Sequence, residues 1–334
     1  MDEIRAMFLR QSLKDCEETF AEALKRRDAP TWDWLVVTAA SESQAAAYRA
    51  QIDARRKAGQ LPKATRYLVI PDPGGRRVGS GGATLNVLSE IARREGGDTP
   101  FSMKRILVLH SGGDSQRIPQ YSALGKLFAR VPRALPDGRA STLFDEFCIA
   151  LSCVPPRMNG GLLVMSGDVL LLFNALQIDL ERTGAACLSI KAPVWTGTRH
   201  GVFVSDVNGG VSRFLHKQSE ETLRAFGAVN AQDMVDIDTG AIWLDETRVN
   251  ALYGLVRGSG ERFDRFVNDR VRLSFYADFV YPMASGSTLE SYLSQPPEGE
   301  MSDDLLDCRR EIWQALGGTE LALIRLSPAE FFHF

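Results

Sequence analysis

The sequence predicts an α/β fold: a mixed, mostly parallel sheet with helices on both faces. Three observations predict it. Short, uninterrupted apolar runs recur along the chain, helical segments separate them in its first half, and glycines close the helices or follow the strands. A strand that is apolar along its whole length is one covered on both faces, as a parallel sheet requires.

The elements run in this order. Residues 1–29 set Ile4, Met7, Phe8 and Leu24 at helical spacing among charges, which predicts an amphipathic helix packed on the main body and ended by Pro30. No internal repeat and no Ser/Gly linker divides the remainder of the chain, so 30–334 reads as one domain. Strands are expected at 34–38 (WLVVT), 67–70 (YLVI), 105–110 (RILVLH) and 161–165 (GLLVM), and helices at 44–59, 85–94 and 143–152. Shorter strands, some antiparallel, are expected at 201–205, 211–216, 239–243 and 272–276. The result is a doubly wound sheet with extra strands around a pocket, whose ligands belong beyond the strand C-termini.

Composition narrows the function classes. The 334 residues carry 39 Lys and Arg against 42 Asp and Glu, a net charge of −3, which excludes a broad basic face for nucleic acid. Five scattered cysteines (Cys16, Cys148, Cys153, Cys187, Cys308) show no CxxC spacing, so reduced thiols are expected rather than a zinc or redox motif. Ser166, Gly167 and Asp168 interrupt the longest apolar run, around 162–176, and the N-terminus has no signal-peptide core. A soluble, cytoplasmic protein without a membrane partner is the expectation.

Two glycine-rich segments come after strands. Residues 74–84 run into a helix through Gly79, Ser80, Gly81, Gly82 and Thr84; residues 110–117 contain Gly112, Gly113, Ser115 and Arg117, with Lys126 after Gly125. Glycines let backbone N–H groups approach an anion closely, and Arg76, Arg77, Arg117 and Lys126 supply full charges. Neither segment is a GxGxxG or GxxxxGK[ST] loop, and tight turns in a crowded sheet are the competing account of each. Asp168 ends the strand at 161–165 and could hold Mg²⁺ against phosphate oxygens, or cap the following turn. Asp278, Asp236 and Asp238 compete for the second ligand. Lys217 has no role on composition alone. The four histidines form no triad or HExxH pattern, and no GxSxG elbow exists. Phosphate cradles and carboxylates without a nucleophile or base suit transfer at phosphorus.

In order along the chain stand 30–33 (PTWD), 35–44 (LVVTAASESQ), 71–73 (PDP), 78–86 (VGSGGATLN), 109–117 (LHSGGDSQR), Gly125-Lys126 and 166–170 (SGDVL). Then come His200-Gly201-Val202, His216-Lys217, Asp238-Thr239-Gly240, 276–279 (YADF) and 331–334 (FFHF). With these pieces the chain resembles the GDP-fucose pyrophosphorylase (fucose-1-phosphate guanylyltransferase) domain of the bifunctional fucokinase/GDP-fucose pyrophosphorylases, over roughly residues 30 to 334. The resemblance implies a GT-A-like, Rossmann-type nucleotidyltransferase fold and the reaction of GTP with fucose 1-phosphate to GDP-fucose and pyrophosphate, with Mg²⁺. It implies that Gly79, Ser80, Gly81, Gly82, Thr84, Gly112, Gly113 and Ser115 bind nucleotide, and that Arg117, Lys126 and Lys217 act on the phosphates. Asp168 and Asp278 would be the metal pair, and His200, Gly201, Asp238, Thr239 and Gly240 would line the sugar. Gln218 stands where the family has proline after the lysine, and Ala277 where an acid often precedes the aspartate; both bear on substrate identity. The family continues into a β-helical region and sometimes a kinase, so a region downstream of Phe334 is expected to be missing.

A sugar 1-phosphate is already largely dianionic near neutral pH, with a second pKa near ~6, so in-line attack on the α-phosphorus needs cations more than a base. Rival readings are a pyrophosphorylase for another sugar or base, a glycosyltransferase of similar architecture, and a non-catalytic nucleotide-sugar binding module.

Overall fold

The computed structural model describes residues 3–111 and 125–333. The strands in chain order are β1 (Trp34–Ala39), β2 (Arg66–Pro71), β3 (Arg105–His110), β4 (Arg130–Ala134), β5 (Ala140–Thr142), β6 (Gly161–Ser166), β7 (Val169–Phe173), β8 (Ala185–Pro193), β9 (Gly201–Ser205), β10 (Val211–His216), β11 (Met234–Leu244), β12 (Leu321–Arg325) and β13 (Ala329–His333). The chain forms two compact units. One comprises Met1–Pro71, Lys104–Glu181 and Leu326–Phe334, the other Asp72–Met103 and Arg182–Arg325. Among the described residues no helix is long and apolar enough to cross a membrane.

The first unit is built on parallel strands in the order β2-β1-β3-β6, with Leu35 opposite Tyr67 on one side and Leu107 on the other. These are the four strands that the apolar runs predict. Val36, Val37, Val108, Leu109, Leu162 and Val164 are essentially inaccessible, as expected of a sheet covered on both faces. The strand order reverses between β1 and β3, where doubly wound sheets open a crevice at the strand C-termini. The helix Glu42–Lys57 comes after β1, with the Ser41 hydroxyl accepting from Gln44 N at its start. The buried helix Leu143–Ala150 starts with a reciprocal Thr142/Asp145 cap, and Arg55 donates to both Asp145 oxygens at 2.8 and 3.0 Å. The N-terminal helix Glu3–Lys25 packs on Leu143–Ala150 and on β7. β13 returns antiparallel to β7 and brings His333 beside Val169.

The second unit has strand order β12-β8-β11-β9-β10, antiparallel except for the β8–β12 pair. β11 runs through the expected 239–243 segment and carries a register shift between Asp238 and Ala241. Helices Gly79–Glu95, Glu246–Val256 and Asp303–Leu316 pack in the same unit.

Two expectations are corrected here. Residues 79–84 are not a loop: the helix begins at Gly79, six residues before the expected start. The glycines have a packing reason, since a Cβ on Gly79 would lie 2.2 Å from Leu273 O and one on Gly81 2.9 Å from Leu273 Cβ. Residues 272–276 are not a strand: Phe275–Val280 form a wide helical turn. Ser274 Oγ accepts from Ala277 N and Asp278 Oδ2 accepts from Ser274 N, so local side chains take the backbone donors that a strand ladder needs.

Candidate active site

In the first unit, polar side chains collect at the carboxyl edge of β1, β3 and β6. Thr38, at the end of β1, accepts from Ser111 N at 3.2 Å and lies 3.4 Å from His110 Nδ1. Burial pushes the His110 imidazole down to about 4, so it is neutral near pH 7. The buried Tyr48 hydroxyl bonds Ser111 Oγ at 2.8 Å. Gly125 sits against this pair at φ +76, where a Cβ would fall 1.6 Å from Tyr48 Oη. Only glycine fits there, and it sets the position of Lys126.

Asp168 lies after β6 in the tight turn before β7. Ser166 Oγ donates to its Oδ1 at 2.6 Å, and His333 Nε2 lies 3.3 Å from Oδ2. Burial pushes the carboxyl up, but the bonds from His333 and Ser166 and the positive charge of Lys126 outweigh it, so Asp168 stays ionised below the usual carboxylate range. An ionised carboxylate only accepts, which places the His333 proton on Nε2. Gly112, Gly113, Ser115 and Arg117 lie outside the described residues.

In the second unit the expected sugar-side residues come together. Gly201, at the start of β9, packs against Phe214 and Asp238. Asp238 Oδ1 accepts from Gly240 N at 2.8 Å, and burial raises its carboxyl to about 6. Thr239 Oγ1 donates to Leu188 O at 2.6 Å, and the Tyr276 hydroxyl donates to Gly240 O at 2.9 Å. Lys217 leaves β10 in the left-handed region at φ 49, with its N–H donating to His200 O at 3.0 Å.

Comparison with known proteins gives these residues a context. The fucose pyrophosphorylase domain family matches residues 99–334. The chain belongs to the fucose pyrophosphorylase family. It is 30% identical to the fucose-1-phosphate guanylyltransferase of Mus musculus over 328 residues, covering 90% of this chain and 55% of that protein. The Homo sapiens protein of the same name is 31% identical, with 90% and 53% covered. The bifunctional fucokinase/GDP-fucose pyrophosphorylase of Arabidopsis thaliana is 30% identical over 304 residues, with 81% of this chain and 29% of that one covered. The chain thus spans about half the length of the two guanylyltransferases it matches.

Several of the sequence-predicted site residues have partners elsewhere in the second unit. Gly81 N donates to Leu273 O, Ser80 Oγ accepts from Phe275 N, and the buried Thr84 hydroxyl donates to Ser80 O, so these polar groups serve the helix start itself. Asp278 is 1% exposed. Its Oδ1 takes Arg309 Nε at 2.8 Å and its Oδ2 takes Ser274 N at 2.7 Å. Asp236 is held by Lys191 at 3.0 Å and Arg325 at 2.9 Å. Arg77 shares its charge with Asp72 and Glu298.

A magnesium ion therefore fits one described carboxylate better than two. Mg²⁺ keeps several waters and is held through one or two carboxylates plus substrate phosphates. Asp168 offers an ionised, oriented and part-exposed hard ligand, while among the described residues no group of three or more His, Cys, Asp or Glu gathers as a cage. Sequence reasoning assigned no role to Thr38, Tyr48, Ser111 or His333. The available signal was the place of Thr38 and Ser111 at strand ends and of His333 in the closing FFHF segment, 165 residues from Asp168; Tyr48, inside the helix Glu42–Lys57, offered none.

Proposed function

We propose that this domain transfers a guanylyl group from GTP to fucose 1-phosphate, releasing pyrophosphate and GDP-fucose. The observation that carries the reading is the oriented, ionised Asp168 at the carboxyl edge of a parallel sheet, with Lys126 adding positive potential there, in a chain of the fucose pyrophosphorylase family. In this reading the first unit is the nucleotide half of a GT-A-like fold. Lys126 and Arg117 neutralise the triphosphate, and Asp168 would hold Mg²⁺. Bound there, Mg²⁺ would supply charge neutralisation at the reacting phosphates and the departing pyrophosphate. His333 and Ser166 orient the Asp168 carboxylate and keep it ionised. The family resemblance assigns Lys217 to the phosphate of the sugar 1-phosphate, and His200, Gly201, Asp238, Thr239 and Gly240 to the sugar. A left-handed backbone at a residue with a side chain costs about 1–2 kcal/mol, and such strain concentrates at functional positions, which supports the assignment of Lys217.

No base is required, because the attacking phosphate is already largely dianionic, with a second pKa of about 6. That suits a site whose edge histidine, His110, is neutral. Five free cysteines fit a reducing, cytoplasmic setting. The test is pyrophosphate release from GTP and fucose 1-phosphate with Mg²⁺, crossed with other triphosphates and sugar 1-phosphates. Asp168→Asn should slow turnover on the order of 10²–10³-fold. Turnover within a factor of two of the parent chain would remove Asp168 from the mechanism. Absence of turnover with any pair, despite tight GTP binding, would leave a nucleotide-binding module instead.

A further inference from the structure

A pair of thiols in the first unit takes no part in this chemistry. Cys16 lies on the buried face of the helix Glu3–Lys25, packed with Leu135 and Ile149, and Cys153 packs against it. The Cys153 thiol reaches Asp15 O at 3.7 Å and Thr19 Oγ1 at 3.2 Å, so it touches the helix at the turn that carries Cys16. The Cys16 thiol in turn donates to Ala150 O at 3.6 Å. Ser152 Oγ donates to Cys16 O at 2.8 Å, tying the residue before Cys153 to the backbone of Cys16. Both chain segments are thus held together where Cys153 packs against the cluster that contains Cys16. Cys153 is half-buried, whereas Cys16, Cys148, Cys187 and Cys308 are buried.

We propose that Cys16 and Cys153 are an oxidisable dithiol, a modification site at which a hydroperoxide closes a disulfide between the N-terminal helix and the segment after the helix Leu143–Ala150. Cys153 is the attacking sulfur because it alone of the two is open to solvent. The neighbouring Cys16 side chain favours the Cys153 thiolate, with burial acting against it. Its sulfur attacks one peroxide oxygen; the S–O bond forms, the O–O bond breaks, and the leaving oxygen takes a proton. The Cys16 sulfur then attacks the Cys153 sulfenic acid; the S–S bond forms, the S–O bond breaks, and water leaves with the Cys16 proton. Two thiols and one hydrogen peroxide become one disulfide and two waters, the peroxide accepting the two electrons. The pair lies within one unit, and the contacts already present limit how far either backbone must move to reach disulfide geometry.

The experiment treats the full chain with hydrogen peroxide, blocks remaining thiols by alkylation, and reads intact mass and a non-reducing peptide map. The expected result is a loss of about 2 Da per chain, reversed by dithiothreitol. One peptide pair should join residues 16 and 153, and hydrogen exchange across 3–25 should slow. Cys148→Ser keeps the cross-link and Cys153→Ser abolishes it. Because the parent chain reports the link directly, the outcome does not depend on the folding of any variant. Three results would each overturn the proposal: Cys153 as sulfinic or sulfonic acid with Cys16 still alkylated, a link from either residue to another cysteine, or both thiols unoxidised while the free peroxide is consumed.

Discussion

Replacing Asp278 separates a structural ion pair from a metal ligand. Asp278 and Arg309 meet at 2.8 Å with side-chain exposures of 2% and 0%, and Arg309 Nη1 also donates to Gln295 O at 2.7 Å. Asp278→Ala leaves the guanidinium buried and without its counter-ion. Breaking such a pair from one side costs about 3–5 kcal/mol, because an uncompensated charge stays in a dry interior. At roughly 2–4 °C per kcal/mol for a unit of this size, the melting temperature should fall by roughly 6–20 °C. Asp278→Asn keeps an acceptor for Ser274 N and should fall between the two. Adding Arg309→Met to Asp278→Ala removes the stranded charge and should recover most of the loss. Thermal unfolding is measured in EDTA and again with Mg²⁺; the loss should be present in EDTA and insensitive to Mg²⁺. A variant that melts with the parent in EDTA, and differs only in the stabilisation Mg²⁺ provides, would refute the ion-pair argument and return Asp278 to the metal.

Other perturbations test the remaining geometry. Gly125→Ala drives a Cβ to 1.6 Å from Tyr48 Oη and displaces Lys126, so pyrophosphate release should fall on the order of 10²-fold, as for a misplacement of about 1 Å. Tyr48→Phe in that background should restore only part of it, since Tyr48 Cζ would still lie 2.7 Å and Gln44 Nε2 2.9 Å from the new Cβ. His110 is pushed down to about 4 when folded, against about 6.5 in an unfolded chain, so the unfolded state binds more protons between those values. Its contribution is complete above pH 6.5 and is lost as pH falls to about 4; urea midpoints of His110→Gln across that window should fall less steeply than the parent's. Asp238 has the opposite sign, with a folded value of about 6 above an unfolded value near 3.9, so its ionisation opposes folding as pH rises through that range. Asp238→Asn should raise the melting temperature at pH 7, and the gain should vanish near pH 4.

The sequence alone determined the four parallel strands and the position of Asp168, because both are local properties. A run such as RILVLH can be satisfied only by burial on both faces, and an acid that interrupts apolar runs must stand at a strand end. That some of the later strands are antiparallel was also legible, and the ordered set of short motifs carried the family. The tertiary structure decided the rest. Residues 79–84 look like a loop because glycine disfavours helix, yet the approach to the Leu273 backbone leaves room for nothing larger there. Residues 272–276 read as a strand, since a short apolar run does not distinguish strand from helical turn; Ser274 and Asp278 settle it through hydrogen bonds to the backbone. The partners of Asp278 and Asp168 are Arg309, 31 residues on, and His333, 165 residues on. Such pairings depend on distance in space, which periodicity along a chain does not encode, and they determine which carboxylates remain available to a metal.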